Sequence, residues 1–565
     1  MSNKVRSTRG HGAFPGGALC CIAAAVALQT ASIGGAQAMD LDTGAPDFKL
    51  RWDNTLKYSG AYRLHSPSAA LTADANLDDG NRNFDKGIIS NRVDLLSEID
   101  ASYQNWGGRV SAAAWYDSIY NSGNDNNSPF TSNSLSRPYN AFTEATRNLH
   151  GRRAELLDAF VYGKFDVGGM SSTLRGGRHT LIYGDSLFFG SNGIANAQGP
   201  IDLVKLVTVP GSQFKEVLRP VQQLSGVLQV TPRLTLGAYY QLRWESSLLP
   251  GVGSYLSPAD FVGAGTERFL AGPPLAPGGG PAAFYRGADL RAKNGGQGGM
   301  QLRWAPEGSE WEYGFYAARY HDKTPYLYLR PFAPAAVNPQ TGQVGELIAA
   351  YHEGIRTFGA SATTSIGQLN LAFEGSLRTN ASLVSDPQVV GPASNNSSAP
   401  AYAVGKSAHL QASAIYVLQG TPMWDAGSFL GEVAWNRRLS VDKNPAAIDP
   451  NTTRDAAALR FIFEPKYFQV APGIDLAVPF GMGWNFYGRS SSIFNWNGGS
   501  SHGGDMSLGV NATFRTVWEA GLTFSHFFGG ADGFLTPANS PAPRLSFKQF
   551  YKDRDFISFS LKRTF

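Results

Sequence analysis

The chain is short of thiols, of charge and of long apolar runs, and each shortage excludes a class of protein. Of its 565 residues only two are cysteine, and both, Cys20 and Cys21, lie in the first 38 positions. Residues 1–38 read as a signal peptide. Lys4, Arg6 and Arg9 make a basic start, Ala18 to Leu28 is an apolar stretch too short to span a bilayer, and Ala36-Gln37-Ala38 is a small-x-small cleavage site. The mature chain, residues 39–565, is then cysteine-free, which excludes disulfides and thiolate chemistry. Charged residues make up only 16% of the sequence. The leader holds three basic and no acidic residues, so its removal takes the formal charge from +4 to +1, a balance that points away from nucleic acid as a partner. No apolar run of about eighteen residues follows the leader, so no transmembrane helix is available. If the mature chain meets a membrane, it does so as strands.

What the chain has in quantity is glycine, with 65 residues, and aromatic side chains, at 12%, a composition that suits a large all-β protein with many turns. From Asp47 onward one unit repeats: an alternating stretch of about ten residues, a tight turn, a second alternating stretch, then a long polar loop. The stretch near Gly87 to Tyr103 shows the logic. Val93, Leu95, Ile99 and Tyr103 share one face, and Arg92, Asp94, Glu98 and Asp100 share the other. Charges on alternate positions cannot face lipid, so that face must line water. The last stretch repeats the pattern, with Ile557, Phe559, Leu561 and Phe565 on one side and Ser558, Ser560, Lys562 and Thr564 on the other. It reads as the closing strand of a barrel, since an unpaired edge in lipid costs several kcal/mol per orphan backbone group. The predicted fold is all-β: a transmembrane antiparallel barrel of about 18 strands, with about 16 also compatible, about nine long extracellular loops, about eight short turns and both termini in the periplasm. Trp52, Trp106, Trp115, Trp244, Trp304, Trp311, Trp435, Trp484 and Trp518 fall near strand ends, where an interfacial girdle would place them.

Three motifs carry a family resemblance. The first is Asp78-Asp79-Gly80-Asn81-Arg82-Asn83-Phe84-Asp85-Lys86-Gly87 with Ile89-Ser90-Asn91-Arg92. The second is Gly199-Pro200-Ile201-Asp202 through Val209-Pro210-Gly211-Ser212-Gln213-Phe214-Lys215-Glu216-Val217. The third is Leu236-Gly237-Ala238-Tyr239-Tyr240-Gln241 to Trp244-Glu245, followed by Leu249-Pro250-Gly251-Val252-Gly253-Ser254-Tyr255. Together they resemble the proteobacterial outer-membrane family catalogued as domain of unknown function 1302, over essentially the whole mature chain. The resemblance implies an outer-membrane barrel similar to proteins linked to hydrophobic or lipid-like compounds. It brings no catalytic residues.

The most informative loop spans residues 184–219, after the fifth strand. It is apolar for an extracellular loop, holding Leu187, Phe188, Phe189, Ile194, Leu203, Val204 and Leu206. The expectation is an inward-folded constriction, with Asp185, Asp202, Lys205, Lys215 and Glu216 setting its charge. The alternative is an outer cap. Lumen-facing candidates opposite it include Arg92, Asp94, Glu98, Arg243 and Glu245, of both signs, which fits wall pairing as well as a solute path. Asp74-x-Asn76-x-Asp78-Asp79-Gly80, with Asp85, superficially resembles a calcium loop, but its glycine is one place late and its last acid is Asp rather than Glu; the reading is a turn capped by Asx side chains, with no metal and no cofactor. His65-Ser66, His409 and His526 are the residues to watch for a barrel hydrolase.

The function expected first is an outer-membrane channel or transporter for a small solute, hydrophobic or lipid-like. The second reading is a plugged barrel serving a periplasmic lipid-handling or export system, with a periplasmic lipid-binding partner. The third is a hydrolase. Expected partners are outer-membrane lipid and lipopolysaccharide, and the barrel-assembly machinery through the strand ending at Phe565; no nucleic acid is expected.

Overall fold

The computed structural model describes residues 39–41, 44–208, 213–536 and 543–565. The signal peptide lies outside the described residues, as do Val209 to Ser212 of the second motif. One wall begins with β1 (Phe48–Arg63), β2 (Gly87–Tyr103), β3 (Trp106–Asp117), β4 (Arg152–Val167), β5 (Met170–His179), β6 (Val221–Thr231) and β7 (Leu234–Gln241). It continues through β8 (Gln297–Trp304), β9 (Trp311–Tyr320), β10 (Ile355–Ile366), β11 (Leu369–Ser382), β12 (Val404–Leu418) and β13 (Ala426–Lys443). The ring is completed by β14 (Asp455–Ala471), β15 (Ile474–Ala477 with Phe480–Gly488), β16 (Gly504–Phe514), β17 (Trp518–Phe528) and β18 (Phe556–Thr564). Every neighbouring pair is antiparallel. The main sheet has 20 segments, because β15 is broken at Val478-Pro479 and the three-residue Met39–Leu41 adds onto β1, so eighteen strands form the ring.

The ring closes where the first and last strands meet. Thr55 stands opposite Thr564 and Arg63 opposite Phe556. Phe565 and Asn54 exchange both backbone N–H···O bonds at 2.8 Å. No strand edge is left for lipid to meet, which is the condition for a sheet to live in a bilayer. The pleat then sorts side chains by environment. On β11 and β12, Phe373, Leu377 and Leu410 point out and are exposed, while Glu374, Arg378, His409 and Gln411 between them are buried inside. An apolar outside and a polar inside, closed on itself, is an outer-membrane β-barrel. Among the described residues no helix is long and apolar enough to cross a membrane. Short turns such as Gly168-Gly169, Gly367-Gln368 and Pro472-Gly473 lie at the end that holds both termini, and the long loops lie at the other.

One local expectation needs correction, and two strands end short of the aromatics that follow them. Trp244 is not in the girdle: β7 ends at Gln241, and the indole turns inward against Tyr351, its N–H donating to the Asp322 carbonyl at 3.1 Å. Trp52, Trp106, Trp304 and Trp484 do stand exposed. The fifth strand stops at His179, because Tyr183 leaves the sheet to pack on Tyr239 and Tyr316. The third stops at Asp117, whose carboxylate accepts the N–H groups of Asn91 and Ile119 and turns the chain.

The long loops are not loose. Arg268–Pro274 and Pro281–Arg286 from the Gly/Pro-rich stretch join Tyr326–Pro331, Gln343–Ala350 and Gln388–Val389 in a second, five-stranded sheet. Beside it, Leu77, Phe84, Phe142, Tyr255, Phe261 and Phe550 belong to one buried apolar cluster drawn from loops far apart in sequence. The loops thus form a dome with a core of its own over one mouth of the barrel.

Candidate functional site

The inner faces of β11 to β14 carry small residues around a few polar ones. Ser407, Ala434, Ala456 and Ala458 leave room, and Glu374, Arg378, His409, Gln411 and Glu432 offer polar groups; all are buried. Against this wall lies the chain that follows β5. Glu374 accepts the backbone N–H of Asp185 at 2.7 Å and of Ile194 at 2.6 Å. Glu432 accepts those of Leu187, Phe188 and Phe189 at 3.2, 2.5 and 2.7 Å. One nitrogen of Arg378 donates to the carbonyls of Ser191, Asn192 and Gly193 at 2.8 to 2.9 Å. Irregular backbone inside a barrel needs partners that a strand would have supplied, and two carboxylates and a guanidinium supply them. The fit is close: a Cβ on Gly184 or Gly193 would collide with a Glu374 carboxylate oxygen.

Each predicted site residue can now be placed. Asp185 lies 3.6 Å from Arg303 on β8. Phe188 and Phe189 fill the space over Ala434, Ala456 and Ala458, with Phe189 stacked on Trp496 at 5.0 Å. Asp202, Lys205 and Glu216 come together farther along: Asp202 is 3.7 Å from Arg219, the Lys205 amine donates to the Glu216 carbonyl at 3.0 Å, and the Glu216 side chain accepts the Gln213 N–H at 3.1 Å. Lys215 is exposed. On β2, Arg92 pairs with Asp94 at 2.5 Å and Glu98 with Arg109. Glu245 pairs with Arg178 at 2.6 Å, while Arg243 lies exposed beyond the end of β7. The predicted residues therefore form several separate groups, and most of the charges are paired.

Between this segment and the dome lies a cavity of about 360 Å³, walled by Phe188, Phe189, Leu206, Phe261, Leu327 and Phe534 among others. Its polar lining includes Arg460, paired with Asp505 at 2.5 Å, and Lys323. The Lys323 amine sits 5.1 Å from the Tyr320 ring and 3.4 Å from the His321 carbonyl, and burial pushes its pKa down to about 8.

Among the described residues three Ser–His pairs lie within hydrogen-bond distance: Ser225 with His179 at 2.8 Å, Ser501 with the adjacent His502 at 3.1 Å, and Ser407 with His409, one of the histidines singled out from the sequence. Ser407 Oγ and His409 Nε2 are 2.8 Å apart, and His409 Nδ1 is 3.0 Å from Asn192 Oδ1. Yet Ser407, His409 and Asn192 are 1%, 2% and 0% exposed, and none lines the cavity. A nucleophile must be reached. This trio instead ties the segment to β12. His65 and His526 both approach Asp555, at 3.7 and 2.6 Å, not a serine.

Sequence reasoning missed Glu374, Arg378 and Glu432, which hold the segment. The usable signal was lone charges among inward-facing Ser and Ala positions on β11 to β14: small residues there mean something packs close, and an isolated charge means it brings polar backbone.

Residues 17–565 match the family described as "Protein of unknown function (DUF1302)". The chain belongs to that family. No curated protein matches its sequence. Among solved structures, Acinetobacter baumannii OccAB3 is similar at 9% identity, covering 91% of this chain and 99% of that one with a TM-score of 0.40. Pseudomonas aeruginosa OpdK with vanillate aligns at 9% identity over 91% and 98% of the two chains, TM-score 0.38. Pseudomonas aeruginosa OccK2 (OpdF) in complex with glucuronate aligns at 9% identity over 91% and 97%, TM-score 0.36. Likenesses this weak say nothing of the solute.

Proposed function

We propose that this DUF1302 barrel is a channel for a small, largely apolar solute, with residues 184–219 as the constriction that the solute must pass. The observation that carries the reading is the cavity of about 360 Å³ between that segment and the dome, with walls made mainly of aromatic and aliphatic side chains. A general aqueous pore would line such a space with charge; an apolar wall with a few polar groups favours a compound with an apolar body. The charged pairs Arg92–Asp94 and Arg178–Glu245 then serve as wall bracing.

Single-channel conductance in planar bilayers tests the reading, comparing the wild type with a variant lacking residues 186–212. Rare or small openings in the wild type and large steps in the deletion are expected. Equal conductance would make the segment an outer cap. No conductance in either would favour the plugged barrel serving a periplasmic lipid-handling system. The burial of Ser407 and His409 argues against a hydrolase, and a fluorophosphonate probe decides it: no labelling is expected, and labelling that disappears in Ser407→Ala would establish the enzyme.

A further inference from the structure

Away from the cavity, the dome buries three carboxylates against one another. Asp78 and Asp79 come from the loop after β1, Asp260 from the loop after β7, and one oxygen of each lies within 4.8 Å of those of the other two. Asp78 is 1%, Asp79 4% and Asp260 0% exposed. Asp79 has partners on both oxygens: Oδ1 accepts from Asn126 at 3.0 Å and from the Thr131 hydroxyl, and Oδ2 from Asn133 alone at 3.2 Å. One oxygen of Asp78 takes the Arg82 guanidinium, and one oxygen of Asp260 takes the Asp79 N–H at 3.0 Å. The other oxygen of each, Oδ1 of Asp78 and Oδ1 of Asp260, is buried and has no hydrogen-bond partner.

Two orphaned anionic oxygens in one dry place cost several kcal/mol unless something positive meets them. Among the described residues Arg82 is the one guanidinium paired with the cluster, against three carboxylates. Arg554 is close, but its Nη1 donates to the Tyr255 and Ser257 carbonyls at 2.7 and 2.9 Å. The backbone here cannot retreat, since a Cβ on Gly80 would lie 2.7 Å from the Ser257 carbonyl oxygen.

We propose that Asp78, Asp79 and Asp260 bind a calcium ion that clips three extracellular loops together. The donors are all hard oxygens, which selects against zinc, copper and iron in favour of calcium or magnesium. Oxygens within 4.8 Å of one another suit metal–oxygen distances of about 2.3–2.6 Å, and a dry set of carboxylates suits calcium, whereas magnesium keeps its water. Asn126, Thr131 and Asn133 bring in the loop after β3, so the ion would hold all three loops at one point. The calcium-like run in the sequence is thereby reinterpreted. Asp74 does make an Asx turn onto the Asn76 N–H at 2.8 Å, and the third ligand comes not from a twelve-residue loop but from 181 residues away.

The test is calorimetric titration of the full chain, purified in detergent and freed of divalent ions by chelation, with calcium chloride and then magnesium chloride. One calcium per chain is expected, with an affinity of about 10⁻⁴–10⁻³ M or tighter, as in extracellular calcium modules. Asp260→Asn should lower it by about tenfold or more while the barrel keeps its folded mobility in cold SDS. Absence of calcium binding at millimolar concentration, equal affinity for magnesium, or unchanged binding in Asp260→Asn would each overturn the proposal. Should that variant not fold, limited proteolysis of the wild type decides: calcium should slow cleavage of the loops relative to chelator, and equal rates would overturn the site.

Discussion

The barrel wall and the loop dome are made by one chain and obey opposite rules. In the wall, Phe373, Leu377 and Leu410 face outward and Glu374, Arg378 and His409 face inward. In the dome, Phe84, Phe142 and Tyr255 are buried together, and the polar groups that go in with them, such as Asp79 and Asp260, are there as clusters. The difference follows from the solvent outside each: lipid makes apolar side chains welcome on the wall's surface, and water drives them to the dome's centre. Stability accordingly comes from backbone pairing round a closed ring in one region and from side-chain packing in the other.

The comparison can be broken at either end. Phe84 packs against Tyr120, Phe142 and Tyr255 with ring centres 5.4 to 5.7 Å away, so Phe84→Ala should cost the dome about 3–5 kcal/mol. Loops should become protease-sensitive while the barrel keeps its folded mobility in cold SDS; loss of both together would mean the regions are one cooperative unit. Leu410→Arg, on the outer face of β12, should cost about 2–4 kcal/mol if the site lies near the bilayer midplane. Urea unfolding in liposomes would show it, and little change would place Leu410 near an interface. Glu432 accepts three backbone N–H groups of the segment after β5, so Glu432→Gln should loosen that segment by about 1–3 kcal/mol. The readout is a higher open fraction in bilayer recordings, without change in barrel unfolding. Smallest of all, Ser407→Ala should leave both stability and any reactivity toward a serine probe unaltered within about 1 kcal/mol.

The wall was legible from the primary sequence because a strand's side chains alternate with period two and each face has one solvent. Arg92, Asp94 and Glu98 against Leu95 and Ile99 already told inside from outside. Tight turns at Gly168-Gly169, Gly367-Gln368 and Pro472-Gly473 marked where the pattern reverses, and together these pointed to about eighteen strands, with about sixteen also compatible, where the ring has eighteen. Where the alternation runs on past the end of a strand, it misleads: Trp244 and Tyr183 continue the polarity pattern on paper but leave the sheet to pack in the interior.

What only tertiary structure decided is everything that depends on contacts between distant residues of irregular backbone. Glu374 and Glu432 look like two more inward charges until a segment about 190 and 245 positions away places its N–H groups on them. Asp260 carries no local signal at all and acquires one only beside Asp78 and Asp79. The five-stranded sheet in the dome joins pieces of two to eight residues, too short for periodicity to register. Local alternation records which solvent a strand meets; it cannot record which loop comes to lie against it, because that is set by the closure of the ring and the packing of the dome.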